Sequence, residues 1–248
     1  MKVIIKILKF IYSIYAMLVF TVLMFFVIPF ALLSTLFGTK KGGIIIYTAC
    51  QIWAILWYRL IFYWYREIHL GPHDRKKQYI FVANHRSYLD IPQLMRCMHQ
   101  PVRVLGKHDL AKVPLFGIIY RSAVVMVDRS SQRNKAKSML QLRRILQEGI
   151  SIFIFPEGGF NETGQPLARF FDGAFKMAIE TDTPIKPIIF PDNLKRFPPS
   201  SLFGMCPGRS RTIYLEEISV HEYGSDGVQA LKEKVFVEMQ KALENFEK

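Results

Sequence analysis

The residues best suited to chemistry lie in the run 81–90, FVANHRSYLD, which places His85 and Asp90 five positions apart. A histidine with a carboxylate behind it is the general-base half of a Ser-His-Asp triad. A serine nucleophile is not needed when the substrate brings its own hydroxyl group. The pair therefore suggests transfer of an acyl group from an activated donor to a substrate alcohol.

Three His–Asp pairs in the chain have this five-residue spacing, so the neighbouring residues must decide which pair is the best candidate. The other two occurrences span polar turns that contain glycine: His69 with Asp74, and His221 with Asp226. Only His85 follows a buried-looking run, residues 79–82, and leads into an apolar helical pattern. Ligands of α/β proteins bind where strands hand over to helices, so this context favours His85 and Asp90. Spacing and context still leave open that His85 only caps a turn and that Asp90 faces solvent.

The elements that must position this pair alternate between strands and helices from about Gln78 onward. Strands are expected at 78–83, 102–105, 123–127, 151–155, 185–190 and 211–217, and helices at 88–98, 132–147, 173–181 and 227–246. Several of the strands are continuous apolar runs, as in strands buried on both faces. The pattern predicts an α/β fold with a mostly parallel sheet flanked by helices. Residues 193–207 are expected to form a long irregular loop, a lid or a membrane-facing edge.

The N-terminal quarter of the chain is apolar. No charged side chain lies between Lys9 and Lys40, and a second, aromatic-rich stretch follows at 42–65. A span of about 20 apolar residues can cross a bilayer, and the first run is too long for a signal peptide and lacks a cleavage site. We predict a membrane-anchoring helical hairpin in residues 1–66 and an α/β domain in residues 67–248.

Two topologies fit the hairpin. Either the first segment crosses the bilayer and the second returns, or both dip into one leaflet, with Pro29 permitting a kink. Both options keep residues 66 onward on the side of the N-terminus, which its lysines indicate is cytoplasmic.

The net charge indicates the kind of partner, and the cysteine spacing indicates the redox state of the thiols. The net charge is +13, from 33 Lys and Arg against 20 Asp and Glu. With an apolar anchor, an anionic lipid surface is a simpler partner than nucleic acid, which we do not expect. The three cysteines have neither a CxxC nor a zinc spacing, so we interpret them as reduced thiols and predict no metal site.

A second constellation ends the most apolar strand. Residues 155–159, FPEGG, place the Glu157 carboxylate and the Gly158 backbone at the strand's C-terminal edge, where N–H groups can hold an anion or a carbonyl. Taken with residues 84–90, this turn resembles the glycerolipid acyltransferases of the 1-acylglycerol-3-phosphate (lysophosphatidate) type. Their first motif is Asn-His, four residues, then Asp, and their third is Phe-Pro-Glu-Gly. Further segments similar to the family's blocks follow in order at 105–107, 113–117, 125–129, 170–175 and 184–189.

The resemblance covers about residues 78–217, makes 67–248 an acyltransferase domain and implies a mechanism. His85 removes a proton from the acceptor hydroxyl, and Asp90 orients the imidazole and stabilises the imidazolium. The hydroxyl attacks the thioester of acyl-CoA or acyl carrier protein, without a metal or other cofactor. The expected product is phosphatidic acid for phospholipid biosynthesis, made at the cell membrane with the catalytic domain on the cytoplasmic face. The residues expected to bind substrate are Asn84, Lys107, Arg129, Glu157, Gly158 and Arg169.

One departure from the family pattern leaves the acceptor open. The third motif usually continues Thr-Arg, and that Arg is assigned to the acceptor's phosphate, but this chain has Gly159 and Phe160. Lys107, Arg129 or Arg169 could supply the charge instead. The alternative is a same-fold O-acyltransferase for another lysolipid, such as a lyso-aminoacyl lipid. Two further hypotheses are a hydrolase that transfers the acyl group to water and a basic, membrane-anchored binding protein without catalysis.

Overall fold

The sheet confirms the predicted α/β class. The computed structural model describes residues 2–127, 132–224 and 226–247. Seven strands in these residues form one sheet of order β1-β7-β6-β2-β5-β3-β4, in which only the β6–β7 pair is antiparallel. The strands are β1 Tyr63–His69, β2 Ile80–Ala83, β3 Val102–Lys107, β4 Val124–Val127, β5 Ser151–Ile154, β6 Ile185–Ile189 and β7 Gly208–Tyr214.

Helices cover both faces of this sheet. They are α1 Lys2–Ser34, α2 Gly43–Leu60, α3 Asp90–Cys97, α4 Phe116–Ala123, α5 Gln132–Gln147, α6 Gly173–Glu180, α7 Asn193–Arg196 and α8 Val228–Phe246. Successive side chains of a strand point to opposite faces. Ile80 and Val82 therefore pack under α5, α6 and α8, whereas Tyr79 and Phe81 pack under α1, α2 and α3. Burial on both faces explains why the strands are apolar throughout.

The apolar N-terminal segments form the expected helical hairpin, and it lies on the sheet. The Trp57 indole of α2 donates to the Ala16 carbonyl of α1 at 2.9 Å. The Tyr47 hydroxyl of α2 donates to the Met98 carbonyl, just after α3, at 2.6 Å. One side of the hairpin is thus part of the core of the α/β fold.

Strand β1 was not among the predicted strands. Its residues were interpreted as the end of the second apolar stretch, but they pair in parallel with β7, from Tyr63 opposite Gly208 to His69 opposite Tyr214. In the structure the burial alternates along the start of the strand, with Tyr63 buried and Trp64 exposed, but the sequence places aromatic residues at both positions. The boundary predicted between residues 66 and 67 falls inside β1, so the sheet begins before it, and the division into two units stays a prediction.

The other predicted elements differ from the observed ones by a few residues at their ends. The largest shift is in β7, predicted at 211–217 and found at Gly208–Tyr214. Helix α4 was not predicted. The stretch 193–207, expected to be irregular throughout, begins with the single helical turn α7.

Candidate active site

The site lies where three neighbouring strands end. Strands β5, β2 and β6 lie side by side, with β2 parallel to both, so their C-terminal ends meet at one edge of the sheet. His85 follows β2, Glu157 follows β5, and Asn193 follows β6. This is the edge at which ligands of α/β sheets bind.

The predicted His85–Asp90 pair is formed. The Nδ1 atom of His85 lies 2.9 Å from Oδ2 of Asp90, which is completely buried. In the described part of the chain, Nε2 of His85 has no hydrogen-bond partner. Because Asp90 occupies Nδ1, Nε2 is the nitrogen available to a substrate proton.

A turn that the carboxylate itself closes explains the five-residue spacing. Oδ2 of Asp90 accepts the backbone N–H groups of Arg86 and Ser87, both at 2.8 Å, which folds the chain back over His85. Oδ1 accepts the side-chain amide of Asn193 at 2.9 Å. Asp90 also begins α3, where the helix dipole favours a negative charge. These contacts fix the position of the carboxylate beside His85.

Aromatic rings enclose the imidazole. The His85 ring stacks on Phe155 with 4.1 Å between ring centroids and contacts Phe160 at 4.4 Å. Tyr88 lies against Phe160 and Phe197, at 4.9 and 5.3 Å. The rings limit the motion of the imidazole and exclude water from its faces, while 14% of the side chain stays exposed.

Glu157 holds the two motifs together. Its Oε1 accepts the N–H of His85 at 2.8 Å, and its Oε2 accepts the N–H of Ala168 at 2.7 Å. Burial raises the pKa of Glu157 to about 7, although these two N–H groups favour the charged form. Both carboxylate oxygens are used by the backbone, so Glu157 orders the turns around His85.

Two other predicted site residues also shape the backbone. Asn84 is buried, donating to the Phe190 carbonyl at 3.4 Å and accepting its N–H at 2.8 Å, which ties the ends of β2 and β6 together. Gly158 has a φ of 75°, which glycine adopts without steric cost. Its N–H donates to the Phe155 carbonyl at 3.0 Å and closes the turn. Their predicted contacts with substrate stay predictions.

The three predicted cations are not gathered at His85 by any contact the structure describes. Lys107 ends β3, and nothing is described for its side chain; Arg129 lies outside the described residues. Arg169 is exposed, and its charge, after that of Lys232, helps to lower the pKa of Asp172.

Arg86, directly after His85, is turned away from the imidazole. Its Nη1 lies 2.5 Å from Oε1 of Glu247, at the end of α8. The Lys195 ammonium donates to the Glu247 carbonyl at 2.7 Å. Cations at a helix C-terminus complement the helix dipole, so these two groups fix α8 to the site.

The structure adds one functional residue that the motifs did not indicate. Asn193 is fully buried and orients Asp90, yet it lies in the stretch expected to be an irregular loop. The available signal was a pair of short polar residues, Asp192 and Asn193, which follow the end of β6 after two intervening residues. Its use required knowing that β6 lies beside β2.

A cavity of 470 Å³ lies beside the turn that follows β2. It is lined by Arg86 and by parts of the stretches 161–165 and 194–200, and His85, Asp90 and Glu157 are not among its lining residues. The N–H of Asn161 donates to the His85 carbonyl at 2.7 Å, which joins one wall of the cavity to the catalytic turn. Among the described residues, no group of three or more His, Cys, Asp or Glu side chains could hold a metal ion.

The fold and site define an α/β protein with a histidine held by a buried aspartate at the carboxyl edge of its sheet. The profile of the family described as Acyltransferase matches residues 67–191, half of the chain. The chain therefore belongs to the acyltransferase family, as the two motifs predicted.

Individual relatives agree with this assignment. The chain is 34% identical over 125 residues to the 1-acyl-sn-glycerol-3-phosphate acyltransferase of Haemophilus influenzae, covering 49% of this chain and 52% of that protein. It is 30% identical over 155 residues to the Escherichia coli protein of the same name, covering 61% of each. The chain thus spans about half to three fifths of these relatives.

A solved structure shows the fold over the whole chain. The crystal structure of the 1-acyl-sn-glycerophosphate (LPA) acyltransferase PlsC from Thermotoga maritima matches with a TM-score of 0.75, covering 99% of this chain and 97% of that one. The sequence identity is 19%, so the likeness concerns the fold.

Proposed function

We propose that this protein transfers a fatty acyl group from a thioester to the free hydroxyl of 1-acylglycerol 3-phosphate, giving phosphatidic acid. The observation that carries the proposal is the His85 imidazole, fixed through Nδ1 at 2.9 Å from Asp90 with Nε2 open at the carboxyl edge of the sheet. Family membership and relatives named for this reaction support it.

The mechanism follows from that geometry. Nε2 of His85 takes the proton of the acceptor hydroxyl as its oxygen attacks the thioester carbonyl carbon. Asp90 stabilises the imidazolium that forms. When the tetrahedral intermediate collapses, the C–S bond breaks and the thiolate takes the proton back from the imidazolium. A thioester is already activated, so the chemistry requires neither a metal nor a covalent enzyme intermediate.

The test is thiol release from acyl-CoA or acyl carrier protein by detergent-solubilised protein, with and without lysophosphatidate. We expect acceptor-dependent release that falls by roughly 10²–10⁴-fold in His85→Ala. The control is His99→Ala, which also removes an imidazole paired with a carboxylate, at 2.6 Å from Glu67, but away from this edge. Equal activity of folded His85→Ala and wild type would refute the mechanism, and release of free fatty acid without an acceptor would indicate a hydrolase.

A second acceptor class deserves the same assay because of Phe160. This ring, 4.4 Å from the His85 ring, is where family members carry the arginine assigned to the acceptor's phosphate. An apolar wall there favours a lysolipid without a phosphate, such as a lyso-aminoacyl lipid.

A panel of lysolipid acceptors separates the two candidates. If lysophosphatidate is the natural acceptor, it has the highest kcat/KM in the wild type. We expect Phe160→Arg to shift the preference toward lysophosphatidate by about tenfold, because an added guanidinium pairs with phosphate. Phe171→Arg, on a ring that is 66% exposed, is the matched control. A neutral or zwitterionic lysolipid as the best wild-type substrate would favour the second candidate.

The hairpin supports a location at the cell membrane, with the catalytic domain on the cytoplasmic face. Two helical segments, Lys2–Phe37 and Lys40–Leu60, are long and apolar enough to cross a bilayer, by length and composition. In its first half α1 accepts the Met205 N–H on Ser13, and near its end the Ala31 carbonyl accepts the Ser122 hydroxyl. Because α1 contacts the α/β fold both in its first half and near its end while its outer side exposes apolar residues, we favour the topology in which both helices dip into one leaflet.

Labelling of the hairpin turn tests this topology. In sealed vesicles, a thiol reagent that cannot cross the membrane should label Lys41→Cys from the same side as Lys234→Cys on α8, in a background with Cys206→Ser. Labelling of Lys41→Cys only from the opposite side would establish a hairpin that crosses and returns.

A further inference from the structure

A second cavity lies at the opposite end of the sheet from His85. It has a volume of 210 Å³ and adjoins the starts of β2, β3 and β5 and the turn between α1 and α2. This size is below the range of about 300–1,000 Å³ typical of sites for drug-sized ligands, so it suits a headgroup rather than a whole lipid. The lining residues used below are Lys40, Gly43, Arg75, Lys76, Gln100 and Arg103.

The cavity is strongly basic. Arg103 is 9% exposed, and Lys40, Arg75 and Lys76 surround it at the surface. Lys77 also lines the cavity, but its charge is paired with Glu217 at 2.5 Å. Among the described residues that line the cavity, none is acidic. The nearest carboxylates flank it: Asp74 accepts the Lys76 backbone N–H, and Glu148 opposes the lowering of the Arg103 pKa by burial.

The guanidinium of Arg103 lies between α4 and the first residue of α2. Its Nη1 donates to the Ser122 carbonyl at 3.1 Å. A Cβ atom on residue 43 would lie 2.4 Å from its Nη2, so glycine at this first position of α2 leaves the space that the guanidinium needs. Arginine binds phosphate oxygens bidentately, and lysine adds a point charge. The arrangement therefore fits an anion of the phosphate type.

A buried acceptor adds a second requirement. Gln100 is 8% exposed, and its Nε2 donates to the Lys77 carbonyl at 2.9 Å and to the Ser151 hydroxyl at 2.6 Å. Its Oε1 is buried without a hydrogen-bond partner in the described part of the chain. Exchanging the amide atoms would not help, because the Lys77 carbonyl needs a donor. A bound ligand that donates a hydroxyl hydrogen would satisfy this acceptor.

We propose that this cavity binds a phosphate ester of a polyol, such as a glycerophosphate headgroup. The basic groups hold the phosphate, and Gln100 accepts a hydroxyl of the polyol. The ligand could be a headgroup of the surrounding bilayer or a free polyol phosphate. Exposed Leu36 and Phe37 in the adjoining turn favour the lipid source, since they would bring the cavity to the bilayer surface. The site does not depend on the proposed reaction, which occurs at the other edge of the sheet.

Calorimetric titration of the detergent-solubilised full chain tests the proposal. The probes are glycerophosphoglycerol as the soluble headgroup, dioctanoyl phosphatidylglycerol as the lipid, and dioctanoyl phosphatidylcholine, which lacks the net charge and the headgroup hydroxyls. The test variant is Arg75→Glu with Lys76→Glu. The control is Lys234→Glu with Lys241→Glu, the same change of charge on exposed positions of α8.

We expect saturable binding of at least one glycerol-bearing probe, weakened by about tenfold or more in the test variant and unchanged in the control. Acyl transfer in neutral detergent should be equal in all three proteins. Tight binding of the soluble headgroup would identify free polyol phosphates as sufficient, whereas binding of the lipid alone would identify the bilayer. The proposal fails if neither glycerol-bearing probe binds, if phosphatidylcholine binds equally well, or if both charge variants lose binding alike.

Discussion

Helix α3 has a histidine–carboxylate pair at each end, and the two pairs have similar distances but different surroundings. At its start, His85 lies 2.9 Å from Asp90; just beyond its end, His99 lies 2.6 Å from Glu67. The second pair is the shorter, so distance does not identify the catalytic one.

The surroundings of the two carboxylates separate them. Asp90 is fully buried and accepts hydrogen bonds from two backbone N–H groups and the Asn193 amide. It contacts His85 through Nδ1, so Nε2 is the nitrogen that stays open at the carboxyl edge of the sheet. Glu67 lies on the edge strand β1 and accepts the Tyr65 hydroxyl at 2.8 Å besides His99. Burial pushes the pKa of Glu67 upward, but the hydrogen bonds and charges of its neighbours outweigh this, and the pKa is lowered. Glu67 is thus a carboxylate in a polar network, whereas Asp90 orients the imidazole that we propose to be the base.

The largest expected difference is in catalysis. Asp90→Asn keeps the shape of the side chain but removes the charge that stabilises the imidazolium, so kcat should fall by about 10²–10⁴-fold. Glu67→Gln removes the charge of the other pair and should leave kcat within about threefold of wild type. Both are measured as lysophosphatidate-dependent thiol release. A loss of kcat in Glu67→Gln as large as that in Asp90→Asn would remove the distinction between the two pairs.

The next largest effect is in the pH dependence of stability. Its sign is opposite for Glu157, near the start of α3, and for Glu67, near the end of that helix. Burial raises the pKa of Glu157, beside His85, to about 7 from an ordinary 4.5. Glu157 therefore binds a proton more tightly in the folded state than in the unfolded state. The resulting contribution of Glu157 to the free energy of unfolding is full below pH 4.5 and is lost as the pH rises through 7. This amounts to about 3 kcal/mol at most.

The carboxylate of Glu67 should behave in the reverse way. Its lowered pKa gives a contribution to stability that is present above its ordinary value and is lost as the pH falls through the folded value. We would measure the free energy of unfolding of wild type, Glu157→Gln and Glu67→Gln from pH 3 to 8. Relative to Glu157→Gln, the wild type should lose stability between pH 5 and 8; relative to Glu67→Gln, it should lose stability toward pH 3. A pH-independent loss of stability in either variant does not change how the difference from wild type varies with pH. If this difference varied with pH in the same way for both variants, the opposite pKa shifts assigned to Glu157 and Glu67 would be contradicted.

The features that depend on residues close together in the chain could be predicted from the sequence. Continuous apolar runs predicted the central strands, and the contexts of His85 and Glu157 predicted two turns that the structure joins through a 2.8 Å hydrogen bond. These features depend on residues close in the chain, whose periodicity and turn chemistry are visible directly.

The features that depend on strand order could not be predicted. Strand β1 forms its backbone hydrogen bonds with β7, roughly 145 residues later in the chain. Its three consecutive aromatic residues, 63–65, are equally typical of a helix end at a membrane interface. Asn193 reaches Asp90 only because β6 lies beside β2. A single sequence shows which residues are polar but not which strand ends meet, so contacts across the sheet edge stayed hidden.

Asn193 gives the smallest and most selective effect. Its amide donates to Oδ1 of Asp90 at 2.9 Å, while Oδ2 keeps its two backbone donors, so Asn193→Ala should loosen the carboxylate without displacing it. We expect kcat to fall about tenfold, or about 1.4 kcal/mol, with little change in KM. The matched control is Gln93→Ala, which removes another fully buried amide, one that bonds Arg211 and Thr212 rather than Asp90. Gln93→Ala should lower stability and spare kcat; an equal loss of kcat in both variants would mean that Asn193 only supports the fold and does not position the catalytic aspartate.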